Sequence, residues 1–122
     1  MAGGYFMSTT QFTGLISTLT RQRGVLGCLV VSERDGIIVD ADVQTGVDGA
    51  AVAALAAALY RRARLCSEAA GLSTVSFLQL ESERGHICAA GRDDLVAVVV
   101  AETGAPVAQL RTVILQLVDS LA

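Results

Sequence analysis

The chain has 122 residues, 52% of them hydrophobic, and a formal net charge of −3. That length and composition fit one globular domain rather than a disordered chain, and the slight acidity supplies no electrostatic pull toward DNA or RNA. All nine basic residues are arginine, which leaves no lysine to hold phosphates in a P-loop or to form a Schiff base.

No run approaches the ~18–20 apolar residues that cross a bilayer. The opening "MAGGYFMSTT" lacks both the basic start and the long apolar core of a signal peptide. Neither membrane insertion nor secretion is therefore expected. Residues 1–7 are expected to form a flexible extension, with Met7 an alternative start, ahead of a single domain at 8–122. The three cysteines, Cys28, Cys66 and Cys88, are odd in number and form no CxxC pair. They read as buried thiols in a reducing cytoplasm.

Ser8-Thr9-Thr10-Gln11 has the spacing of a capping box, and Phe12, Leu15, Ile16 and Leu19 then recur on one helical face. This first helix is expected to end near Arg21 and Arg23, with Gly24 just beyond. "VLGCLVVS" follows as a strand apolar on both faces, Asp35-Gly36 marks a hairpin turn, and "IIVDADV" returns as a second strand. Strict alternation places Ile37, Val39, Ala41 and Val43 on one face and Ile38, Asp40 and Asp42 on the other. The two aspartates read either as guards of a sheet edge or as solvated residues at a strand end.

A long helix opens at Asp48, a candidate N-cap, and stops at Gly71. "LSTVSFLQL", "RGHICAAG" and "DLVAVVVA" then read as three strands, joined by the turn-like "ESERG" and "GRDD" into an antiparallel meander. Pro106 opens a last helix whose stripe is Val107, Leu110, Ile114, Leu117 and Leu121, widened by Val113 and Val118. The order is αββαβββα, an α+β chain with an antiparallel sheet. Its two wholly apolar strands call for helices on both faces.

The central helix is too apolar for a single packing surface. Val52, Leu55, Leu59, Ala63, Cys66 and Ala70 form one stripe, taken as the sheet-facing one. Beside it run Ala51, Ala54, Ala58, Leu65 and Ala69, small enough on average for a second helix to approach closely, with Arg62 inside the arc. The competing explanation is that alanine is simply the best helix former. Tyr60, Arg61, Arg64, Ser67 and Glu68 collect on the remaining side. The stretch from Leu72 to Leu80 carries no charge and no proline, so it is either an inner strand or an edge that another chain covers. One dimer contact would cover both helix row and strand.

Together, the element order from about Ser8 to Ala122, "GCLVVSERDGIIVDAD", the Ala/Leu-rich central helix and "HICAAGRDDLVAVVVAETGAPVAQLR" resemble the Roadblock family, or dynein light-chain roadblock domains, which includes the bacterial Mgl-type partners of small GTPases. The resemblance implies a profilin-like five-stranded antiparallel sheet, with the central helix on one face and the terminal helices on the other. It also implies a homodimer joined through the central helices and third strands. On this chain the interface would comprise Ala51, Ala54, Ala58, Arg62, Leu65 and Ala69 with Thr74, Ser76, Phe77 and Leu78. The function implied is a non-enzymatic cytoplasmic scaffold for a Ras-like small GTPase, able to modulate its GTP hydrolysis. Tyr60, Arg61, Arg64 and Glu68 are the expected exposed patch for that partner.

Two other classes compete. A small-molecule-sensing or adaptor domain without a GTPase would need convergent polar groups in an apolar pocket, and none is visible in the pattern. An enzyme would have to build on His86 and Cys88, two residues apart on one strand and so on one face. One histidine and scattered cysteines fall short of a metal set or a nucleophile with its orienting group, so no cofactor, metal or catalytic residue is expected.

Overall fold

The computed structural model describes residues 12–121. Helix α1 (12–20) is followed by β1 (Val25–Ser32), β2 (Ile38–Val43), α2 (Gly49–Ala69), β3 (Leu78–Ser82), β4 (Gly85–Arg92), β5 (Leu95–Glu102) and α3 (Val107–Asp119). The strands form one sheet in the order β2-β1-β5-β4-β3, with every neighbouring pair antiparallel. The fold is the expected α+β arrangement. Helix α2 crosses one face, linking the strand at one edge to the strand at the other. The expected capping box at Ser8–Gln11 and the extension at 1–7 lie outside the described residues.

Alternation along the three inner strands divides the core in two. Cys28, Val30, Cys88, Ala90, Val99 and Ala101 pack under Phe12, Leu15, Ile16 and Leu19 of α1 and Leu110, Ile114 and Val118 of α3. Leu29, Val31, Ala89, Val96 and Val98 pack under α2. The stripe predicted for α1 is buried; of that predicted for α3, Leu110, Ile114 and Val118 are buried, and Val107, Val113, Leu117 and Leu121 are half-buried against the same core. Asp48 caps α2, its Oδ1 accepting from the Ala51 amide at 3.1 Å. At the other end Gly71 takes φ +75°, and the Gly71 and Leu72 amides donate back to the Glu68 and Ser67 carbonyls. That is a Schellman ending, which favours glycine at the left-handed position.

The sheet-facing stripe of α2 is not the one the sequence suggests. Ala53, Ala56, Ala57 and Tyr60 are buried against the sheet. Of the expected stripe, Leu55 is 63% exposed, Leu59 is 42% exposed and Cys66 is exposed. The reason is steric: helix–sheet spacing follows side-chain size, and the valines and leucine of the sheet fill the gap under Ala53, Ala56 and Ala57, while the larger Tyr60 fits where it lies over Gly91. Burial of large apolar residues is a tendency that a particular packing can override.

The third strand is also displaced. It was expected at Leu72–Leu80 and spans Leu78–Ser82. The β3–β4 register, continued past Leu78↔Ala89, would set Ser76 opposite Gly91. Tyr60 occupies that place instead. Its hydroxyl accepts from the Gly91 amide at 3.0 Å and donates to the Val75 carbonyl at 3.1 Å, so the ring stands where a strand pair would form. A Cβ on Gly91 would come within 2.8 Å of the ring, which is why the wedge requires glycine there.

In β2 a bulge breaks the expected alternation. Ile38 pairs with Val31 and Asp40 with Val30, leaving Val39 as the extra residue. Ile38 therefore joins Ala41 and Val43 on the α2 face, while Asp40 and Asp42 share the face of α1.

Candidate protein interface

The outer face of α2 carries the residues that the sequence assigned to a second helix. Ala51, Ala54, Arg62 and Ala69 are exposed, Ala58 is half-buried, and Leu65 is 52% exposed. Leu55 and Leu59, expected against the sheet, join this surface. At about 100° per residue, Ala54 and Arg61 lie on the flank toward the β1–β2 hairpin. There Gly36 approaches the Ala54 backbone and Arg61 donates to the Glu33 and Arg34 carbonyls. The opposite flank, with Val52 and, by helical periodicity, Leu59, faces the β4 side of the sheet, and β3 lies beyond β4 with Leu80 47% exposed. Helix face and free strand thus form one continuous apolar surface. Of the expected strand residues, Thr74 and Ser76 are exposed in the segment before β3, Phe77 is half-buried against the α3 side of the core, and Leu78 begins β3.

Tyr60, Arg61, Arg64 and Glu68 do not form the open patch expected of them. Tyr60 is 5% exposed, and burial is the main force raising its phenol pKa. Arg64 clasps Glu33 with two bonds, Nη2–Oε2 at 2.6 Å and Nε–Oε1 at 3.2 Å, and reaches Glu68 at 3.5 Å. The bond from Glu33 raises the Arg64 pKa further. Of the four only Glu68 is exposed, about half of its side chain being open to solvent. The arginines are positioning residues for the hairpin turn, and they hold its apolar tip, where Ile37 is 61% exposed, beside α2. Their acidic anchor Glu33 is 7% exposed. Nothing in the sequence singles it out, because a carboxylate in a turn acquires its partner only when the helix docks.

A groove of about 390 Å³ opens at this end of the sheet, lined by Glu33, Tyr60, Arg64, Val75, Arg92 and Asp119 among others. Several of its polar groups already satisfy one another: Arg64 holds Glu33, Arg92 holds Asp119 at 3.0 Å, and the Tyr60 hydroxyl bridges two backbone groups. That is poor ground for a small-molecule site, which needs polar groups aimed at the ligand.

His86 and Cys88 do share a sheet face, but Cys88 is fully buried and burial pushes its thiol up to about 11. A thiol so poorly ionised at neutral pH is a weak nucleophile. Among the described residues no group of three metal-ligating side chains occurs, and no helix is long and apolar enough to cross a membrane.

Comparison with known proteins agrees with this architecture. A Roadblock/LC7 domain from Streptomyces avermitilis superposes with a TM-score of 0.79 at 22% identity, covering 88% of this chain and 92% of that one. Myxococcus xanthus MglB gives 0.81 at 18% identity, with coverages of 92% and 85%. MglC from the same organism gives 0.64 at 22% identity, with coverages of 91% and 96%. No curated protein matches the sequence. The family model of the Roadblock/LC7 domain matches residues 13–111, most of the chain, and the protein belongs to that family.

Proposed function

We propose that the chain is a non-enzymatic, homodimeric scaffold of the cytoplasm that docks a Ras-like small GTPase and modulates its GTP hydrolysis. The dimer joins α2 to α2 and β3 to β3. Its surface is Ala51, Ala54, Ala58, Arg62, Leu65 and Ala69 with Thr74, Ser76, Phe77 and Leu78, extended by Leu55, Leu59 and Leu80. The observation that carries this reading is the continuity of two bare features. An uncharged strand edge at Leu78–Leu80 continues the sheet beyond β4 on the side of a helix flank whose leucines face solvent. Covering both at once removes apolar surface and completes the ladder, each a favourable change. The partner class is supported by the likeness to MglB and MglC and by membership of the Roadblock/LC7 family. On this reading Arg61 and Arg64 shape the partner surface by holding the hairpin rather than by reaching the nucleotide.

The test has two stages. Light scattering over a dilution series is expected to give a dimer that Ala58→Arg splits into folded monomers. The intact protein is then used to capture GTPases loaded with GDP or with a non-hydrolysable GTP analogue. Enrichment of a Ras-like GTPase in one nucleotide state supports the reading. A monomer at every concentration, or no enrichment in either state, overturns it.

A further inference from the structure

The segment before β3 is out of phase with the strand it leads into. Phe77 packs with the α3-side core and Leu78 with the α2-side core, as strand alternation requires. Continued backwards, the same alternation puts Val75 on the α3 side. Val75 packs instead with the α2-side core, and its carbonyl accepts from the Tyr60 hydroxyl. The wedge and the displaced valine belong together.

The place that Val75 would take in a longer strand is open. In the β3–β4 register Ser76 falls opposite Gly91 and Val75 opposite Arg92. The groove of about 390 Å³ lies there, lined by Gly91 and Arg92 of β4 and by Leu115 and Val118, which belong to the α3-side core. The backbone is equally ready to pair. The Ser76 amide makes no hydrogen bond to any described residue, and the Gly91 amide is held by the Tyr60 hydroxyl. Gly91 is outside the left-handed region, so it sits in the ladder like any strand residue. Upstream, the Ser73 carbonyl accepts from Ser67 Oγ at 2.7 Å, which leaves only Thr74, Val75 and Ser76 between that tie and Phe77.

We infer that β3 has two lengths and that the Tyr60 ring selects between them. With the ring over Gly91, β3 begins at Leu78. With the ring withdrawn, Ser76 and Gly91 exchange backbone hydrogen bonds, and Val75 turns to the α3 side against Leu115 and Val118. The strand then starts at Val75. The ring itself bars this pairing, because Ser76 in the strand would project on the α2 side beside Gly91, where the ring already lies. The long form adds Val75, Ser76 and Phe77 to the open edge. A strand laid along that edge gains the additional ladder bonds only in the long form, so its binding shifts the balance toward that form. The gate is a property of one chain and stands whether or not the second copy proposed above is the strand that adds.

Amide hydrogen exchange by NMR on the whole chain tests this with two variants that remove the wedge in different ways. Tyr60→Leu shortens the side chain. Gly91→Ala plants a Cβ within 2.8 Å of the ring and evicts it. Each is expected to slow exchange at the Ser76 amide by about tenfold or more relative to the wild type. Each should also bring the Val75 methyls into NOE contact with Leu115 and Val118. In Tyr60→Leu the Gly91 amide is expected to stay protected, because the Ser76 carbonyl replaces the lost hydroxyl. Tyr60→Phe keeps the ring and is expected to leave Ser76 as unprotected as in the wild type. A folded chain of either wedge-free variant in which Ser76 exchanges at the wild-type rate, or in which Val75 still contacts α2, overturns the inference. Loss of folding in both variants overturns it as well, since the second place for Val75 then cannot support the chain.

Discussion

The two edges of the sheet are built differently. Edge β2 is closed against pairing three times over. A bulge at Val39 breaks its register, Asp40 turns its own Oδ1 onto the Ala41 amide at 2.9 Å, and Asp40 and Asp42 sit together on one face. Edge β3 pairs with β4 in unbroken register over Leu78–Ser82 and carries one charge, Glu81. Bulges, inward charges and used-up donors are the devices by which natural sheets avoid stray strand addition. Their presence on one edge and absence on the other makes β3 the less guarded edge, the one the proposed dimer uses. Asp42 is exposed and Asp40 half-buried, so the two aspartates remain solvated as well as placed to guard the edge, and the bulge beside them is invisible in the sequence.

The largest effect is expected from unguarding β2. Asp40→Val with Asp42→Val frees the Ala41 amide and leaves an apolar edge, so light scattering should show association beyond the wild-type species. Glu81→Gln on β3 should not. Equal behaviour of the two variants would abolish the distinction between the edges.

Next in size is a change at the β3–β4 hairpin. A Cβ on Gly85 would run into the Ala101 carbonyl oxygen of β5. Gly85→Ala should push the hairpin off β5 and cost about 1–3 kcal/mol in urea unfolding.

Removing the wedge comes third. Tyr60→Phe forfeits the bonds to Val75 and Gly91, which should cost about 1–2 kcal/mol and raise hydrogen exchange at the Gly91 amide. An unchanged exchange rate would mean that the hydroxyl does not hold the segment before β3.

The smallest effect concerns pH and sharpens the β2 side. Burial first, and then Asp42 and Asp40, push the Cys28 thiol up from 9.0 to about 12. The folded chain therefore keeps a proton that the unfolded chain releases. Stability from this source is complete below pH 9, then falls as pH rises toward 12, by at most about 1.4 kcal/mol per pH unit. Cys28→Ala should flatten that slope in urea titrations at pH 8 and 10. Asp42→Asn should reduce it slightly.

Particular residues show how far the sequence could be read. Val25–Ser32 was legible to the residue, because a short apolar run between Gly24 and the Asp35-Gly36 turn admits little else. The Asp48 cap and the Gly71 stop were equally plain. The apolar outer row of α2 was legible as a surplus of hydrophobic area, and it is exposed as that surplus requires. The partner patch was not legible. Tyr60 looked polar and solvent-facing by its neighbours Arg61 and Arg64, yet its ring is a wedge in the sheet and both arginines are tied to the hairpin turn.

The sequence by itself determined the element order, the turns, the caps and the two-sided core. These depend on patterns of two to four residues whose energies are local. Only the tertiary structure decided which face of α2 meets the sheet, where β3 begins, and that β2 is bulged. Each of those outcomes is a competition between distant groups for the same space or the same hydrogen bond. The sheet's valines and leucine leave room for alanine at Ala53, Ala56 and Ala57, and one tyrosine hydroxyl takes the β4 amide that a longer β3 would have used.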